Sequence, residues 1–236
     1  MSSHPYPKKS LASYLLPFVL IILLIGTGWY IIQNQINLLD IKRIIQPPPV
    51  AKDEKAQIAY LEGENEVKPW GKEVWEPLTK ESVLQVGDTL KTGPTGLIVL
   101  RFFEESELRL DKKSELKMIR LDKNEVSGDH LAVELISGQL WRRGKDSNTT
   151  EADFIITTQQ QIVQMNKAAV INMSTSPEAL QVIGGKVTSN IAEKMNGSRK
   201  PISQLILNGG EQLVLDTLVI DQLKSGEKNV ITPLDQ

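Results

Sequence analysis

The chain has 236 residues, with 27 Lys and Arg against 29 Asp and Glu, and no cysteine. That balance excludes the basic footprint of a nucleic-acid binder, and the missing cysteines exclude disulfides, thiolate metal centres and cysteine lipidation. The length allows one large or two small domains with a real core.

Residues 1–10 form a short polar start carrying Lys8 and Lys9. Residues 11–32, "LASYLLPFVLIILLIGTGWYII", are 22 positions without a charge, against the roughly 20 needed to cross a bilayer as a helix. Trp29 and Tyr30 stand near its outer end, where aromatic rings prefer the headgroup level. Gly26 and Gly28 imitate a small-residue cleavage site, but "WYII" continues the apolar run past them, so the segment is expected to be an uncleaved anchor rather than a signal peptide. Lys8 and Lys9 lie close to the span and place the N-terminus in the cytoplasm, with the C-terminal part outside. An extracytoplasmic domain without disulfides fits a bacterial inner membrane.

Residues 33–55 read as a stalk and linker. Ile36, Leu39, Ile41, Ile44 and Ile45 have loosely helical spacing. Pro47, Pro48 and Pro49 end any helix and impose an extended spacer, and a charged linker follows. The globular domain is expected over 56–222, beginning near Gln57, with a tail over 223–236.

Within that domain the pattern changes to short apolar runs separated by turns. The expected strands are 56–62, 73–78, 88–92, 96–103, 106–110, 115–121, 131–136, 138–143, 153–158, 161–165, 168–173, 179–183, 186–189, 203–207 and 211–215. Leu108 and Leu110 alternate with Glu107 and Arg109, and Leu116 and Met118 with Glu115 and Lys117, which marks strands with one wet face. "GLIVLRFF" is apolar on both faces and is expected between layers. Gly93-Pro94, Glu104-Glu105, Asp111-Lys112-Lys113, Ser137-Gly138, Gly184-Gly185 and Gly209-Gly210 supply turns. "NIAEKMNGSRKP" reads as a long loop, and "DTLVIDQLKSGEK" as a last strand or a short helix. The fold class is all-β, a multi-strand sandwich or β-roll ectodomain behind one transmembrane helix.

The chemistry-bearing residues are few. His130, the lone histidine of the ectodomain, has no Gly-x-Ser-x-Gly elbow to serve and reads as a solvated loop residue. Glu104, Glu105, Glu107 and Asp111 lack the spacing of a calcium loop, and "GGK" at 184–186 lacks a phosphate-loop frame. The Asn-x-Ser/Thr triplets at Asn148, Asn172 and Asn196 read as chance. No catalytic, cofactor-binding or metal-binding residue is assigned, and no enzyme activity is expected. Trp70, Trp75 and Trp141 are the notable large residues. Tryptophan is highly buried on average, which favours core, whereas an exposed cluster would anchor a partner or stack sugars.

Several pieces share one order with a known family. They are "AYLEGENEVKPWGKEVWEPL", "VGDTLKTGPTGLIVLRF", "SELRLDKKSELKM", "AVELISGQLW", "DFIITT", "ALQVIGGKVTS" and "LILNGGEQLVL". The succession, from about Ala56 to Val214, resembles the extracytoplasmic FecR-type domain. Its core is Gly87-Asp88 followed by Thr92-Gly93, a strand, a turn and a Leu-x-Leu strand. The resemblance implies an all-β module of bacterial envelopes that serves protein–protein signalling or assembly. Sensor members of that family carry a cytoplasmic domain that restrains a sigma factor, but only about ten residues precede the span here, too few to fold. Lys167-Ala168-Ala169 stands where the family commonly has Gly-Thr, and Glu104-Glu105 where it has Asp-Gly. Direct anti-sigma activity is therefore not carried over. The expected function is binding of an envelope protein partner by a single-pass membrane protein. The alternative is a glycan- or peptidoglycan-binding module, and no nucleic acid is expected.

Overall fold

The computed structural model describes residues 56–102, 106–122, 130–144, 154–165, 168–195 and 198–234. The apolar span 11–32, the segment 33–55 and the Glu104-Glu105 turn lie outside them. Among the described residues no helix is long and apolar enough to cross a membrane.

The chain repeatedly lays down one or more strands in one sheet and then crosses to the other. β1 (Gln57–Glu62) lies in the first sheet, and β2 (Asn65–Lys68), β3 (Glu76–Pro77) and β4 (Thr89–Thr92) lie in the second. β5 (Leu97–Phe102) and β6 (Ser106–Leu110) return to the first; β7 (Glu115–Asp122) and β8 (His130–Ser137) form a hairpin in the second. β9 (Gln139–Arg143) stands alone in the first, and β10 (Phe154–Thr157) and β11 (Gln161–Met165) pair in the second. β12 (Val170–Thr175) and β13 (Glu178–Gly184) join the first, and the long pair β14 (Lys186–Met195) and β15 (Ser198–Asn208) the second. β16 (Glu211–Leu215), the helix α1 (Thr217–Lys224) and β17 (Thr232–Pro233) close the chain, with both strands in the first sheet.

The first sheet runs β1-β5-β6-β9-β12-β13-β16-β17 and the second β15-β14-β11-β10-β8-β7-β4-β2-β3. Every neighbouring pair is antiparallel except β8 and β10. That exception follows from connectivity: β9 sits in the other sheet, so two crossings bring the chain back pointing the same way. The crossing after β8 is tight. Gly138 adopts φ +87°, and a Cβ there would fall 2.2 Å from the Ser114 hydroxyl, so only glycine fits the corner.

Alternation builds the core. In the first sheet Ile98, Leu110, Leu140, Met173, Leu180 and Leu213 form one register row across six strands, and all are buried. The second sheet answers with Leu90, Met118, Val133, Ile156, Val163 and Ile191, and the two sets belong to one hydrophobic cluster. At about 25 cal/mol per Å² of apolar surface removed from water, such a shared layer is what holds the two sheets together.

Four local expectations differ from the structure. β5 is not covered on both faces: Ile98, Leu100 and Phe102 are buried, but Leu97 and Val99 are half-covered and Arg101 is exposed. The segment expected as a loop around 190–201 is strand, because β14 and β15 pair to Met195 and Ser198. Pro201 is tolerated there because β15 is an edge strand and Ile202 beside it is the extra residue of a bulge. Over 73–78 only Glu76–Pro77 is strand, while Asn65–Lys68, unassigned in the sequence, is a strand of the second sheet. Residues past 222 belong to the fold: Leu223 and Val230 are buried, and Thr232 pairs with Gln212.

Candidate functional site: a tryptophan loop on the second sheet

β2 ends at Lys68, and Pro69 then accepts the Lys72 backbone N–H at 3.0 Å to form a turn. Trp70 sits in that turn. Its backbone N–H donates to Asp88 Oδ1 at 2.8 Å, and Asp88 Oδ2 accepts the Gln85 N–H at 2.9 Å. Asp88 is itself buried at the start of β4. Its backbone C=O accepts the Met118 N–H at 2.9 Å, and Gly87 N–H donates to Met118 C=O at 2.8 Å, so the loop is tied to β7. Burial raises the Asp88 carboxyl above its ordinary value, and the two N–H donors offset part of that rise. A Cβ at Gly87 would fall 2.2 Å from Trp70 Cδ1, and Gly87 has φ +95°. The indole therefore rests directly on the glycine backbone, yet Trp70 is 55% exposed.

Trp75 lies on the same loop and is half-buried. The Lys68 and Lys91 ammonium groups stand 5.1 and 5.4 Å from its ring centroid, within cation–π range. Lys72 pairs with Glu76 at 2.7 Å, and Lys91 lies 3.9 Å from Glu66. Between β2 and β4 the chain also exposes Val74 and Val83, at 68% and 61%. The loop thus carries one exposed indole, a second half-buried one flanked by two lysines, and two exposed valines.

Trp141 is not part of this surface. It lies half-buried on the outward face of the first sheet, in β9, between Arg109 of β6 and Asn172 of β12. None of the three tryptophans fills the core, which corrects the expectation that they would. The inward positions of β9 are Leu140 and Arg142. Arg142 stacks 4.3 Å from the Phe154 ring centroid and donates to Ala169 C=O at 2.8 Å, and burial pushes its guanidinium down to about 10.

The other candidates are dispersed. His130 is the half-buried first residue of β8, opposite Asp122, rather than a solvated loop residue. Glu107 pairs with Arg101 at 3.0 Å and Asp111 with Arg109 at 2.8 Å. Among the described residues no group of His, Asp and Glu is arranged to hold a metal ion. One buried carboxyl was not singled out in the sequence. Glu178 accepts the Thr158 hydroxyl and, at 3.3 Å, the Gln160 N–H, while Arg199 donates to Thr158 C=O. Burial raises the Glu178 carboxyl, and these donors and the Arg199 charge offset part of the rise. This cluster links β13 of the first sheet to the β10–β11 turn and β15 of the second.

No protein-family model matches the sequence, and no curated protein does. Two crystal structures of a protein from Parabacteroides distasonis, described as a "putative anti-sigma factor", are similar to it. They have a TM-score of 0.43 with 15% and 16% identity, covering 62% of this chain and 60% of theirs. The chain thus spans about three-fifths of the length of those neighbours.

Proposed function

We propose that this chain is a single-pass inner-membrane protein of a bacterial envelope whose extracytoplasmic all-β module binds another protein, in signalling or assembly, through the Trp70–Trp75 loop. The observation that carries the reading is the support beneath an exposed side chain. A buried carboxylate and a positive-φ glycine are both committed to holding Trp70 in place while more than half of it faces solvent. Anchors held rigidly before contact lose less conformational freedom on binding. The apolar span 11–32 and the cytoplasmic lysines before it support the anchor, and the FecR-like succession of motifs supports the envelope role. The module acts as a binder.

The test places a photo-crosslinking amino acid at position 70 or 74 of the full chain in cells, and a control at exposed Ile183 of the first sheet. A discrete protein adduct is expected from 70 and 74, lost on Trp75→Ala, and absent from 183. No adduct at 70 and 74, or the same adducts from all three positions, overturns the reading. For the anchor, an alkaline phosphatase fused after Gln236 should be active and the protein should begin near Met1. A mature N-terminus at Trp29 would refute it.

A further inference from the structure

The outward face of the first sheet carries a different surface. The register row that contains Trp141 continues through Asn172, Gln181 and Gln212 on the next three strands. Their carboxamides bond in sequence. Gln139 Nε2 donates to Asn172 Oδ1 at 2.9 Å, Asn172 Nδ2 to Gln181 Oε1 at 3.1 Å, and Gln181 Nε2 to Gln212 Oε1 at 3.3 Å. Gln212 Nε2 completes the line on Pro233 C=O at 3.1 Å. All four amides run the same way, and each uses one N–H within the line. Each amide has a second N–H, and its oxygen a second lone pair, for an outside group. The repeat is the strand spacing, about 4.7–4.9 Å. Where the row meets β6, Arg109 and Gln139 also line a groove of about 760 Å³, together with Asp111, Ser174 and Thr175.

We propose that this face binds a glycan chain containing 2-acetamido sugars, lying across the strands with one ring stacked on Trp141. Three features select that ligand. An indole beside a polar row suits a sugar ring, which has an apolar face and a hydroxylated edge. The charge that enters the row is already paired, Arg109 with Asp111 at 2.8 Å; beyond Trp141, Arg101 pairs with Glu107 at 3.0 Å and Arg143 is exposed at the end of β9. The row itself therefore offers neutral hydrogen bonds rather than an anion site. Carboxamides are self-complementary, so an acetamido group can accept from one rung and donate to the next. An apolar protein surface would instead strip water from the rungs' outward groups without replacing it.

The experiment titrates the full chain, held in a detergent without a sugar headgroup, with chitohexaose and separately with cellohexaose by calorimetry. Chitohexaose should bind, with cellohexaose weaker. Trp141→Ala should weaken chitohexaose binding roughly tenfold or more, and Trp141→Tyr should restore most of it. Gln181→Ala should reduce the preference for chitohexaose, and it decides the matter if Trp141→Ala does not fold. Ile206→Ala, on the exposed face of the second sheet, should change nothing. Absence of binding, equal affinity for the two sugars, or affinity indifferent to both Trp141→Ala and Gln181→Ala overturns the assignment.

Discussion

Gly87 and Asp88 act on the same residue from two directions, Gly87 by leaving room for the indole and Asp88 by accepting the Trp70 backbone N–H. Gly87→Ala forces a Cβ into the ring at a backbone angle that side chains rarely adopt. It is expected to cost about 1–3 kcal/mol in urea unfolding, and a crosslinker at position 74 should lose its adduct along with it. Glu178 gives a pH-dependent counterpart. Its folded value lies above the ordinary 4.5 because it is buried, so the native state binds the proton more tightly than the unfolded chain. Its contribution is complete below the unfolded value and is lost as pH rises through the folded one. Glu178→Gln lacks that loss, so its stability relative to the parent should increase between about pH 4 and about pH 7. A constant difference across that range would show that the carboxyl is not perturbed. The Gly-Asp pair stood out in the sequence through the FecR-like succession of motifs. Arg142 was not, because its partners Phe154 and Ala169 come from other segments of the chain. An indole's size argued for burial, whereas strict alternation from Leu140 put the arginine inside instead.

At the scale of elements, alternation made most strands legible, and failures occurred where tertiary contacts supply what the local pattern lacks. Around 190–201 the polar residues and proline read as loop, yet β14 and β15 hydrogen-bond to each other over that length, on an edge where Pro201 leaves no donor unpaired. The ambiguous "DTLVIDQLKSGEK" became α1 for a local reason. Asp216 caps it, accepting the Val219 N–H at 2.8 Å. The helix makes contact with β15 and β16 and buries Leu223. Leu223→Ala should therefore cost about 2–5 kcal/mol, as for a core leucine, measured as a shift in the urea midpoint. A change near zero would return 223–236 to the status of a tail. The amide row shows the limit of reading by element. Asn172, Gln181 and Gln212 are ordinary residues in their own strands, and only the register of three strands puts them in line, with Gln139 joining diagonally from β9.

For the folded module as a whole, the two outward faces divide the tryptophans: Trp70 and Trp75 belong to the second sheet and Trp141 to the first. That division makes cooperativity measurable. One hydrophobic cluster spans both sheets, and the chain crosses between them repeatedly, so neither sheet can be completed without segments that flank the other. The expected behaviour of a fragment covering 56–236 is a single transition. Its refolding should be slow for its size, because most strand neighbours are distant in sequence. In that fragment, replacing Trp70 and Trp75 by Phe leaves Trp141 to report on the first sheet, and replacing Trp141 leaves the loop to report on the second. Their fluorescence midpoints in urea should coincide with each other and with far-ultraviolet circular dichroism, after each variant is referred to its own stability. If Trp141 melts apart from the loop tryptophans, the sheets are separate folding units, and contact at one face cannot be transmitted to the other through a shared core. If the midpoints coincide, a ligand on either face stabilises the same global state. In the Trp141→Tyr fragment, which keeps most of the binding, chitohexaose should then raise the midpoint read from Trp70 and Trp75 as much as the one read by far-ultraviolet circular dichroism.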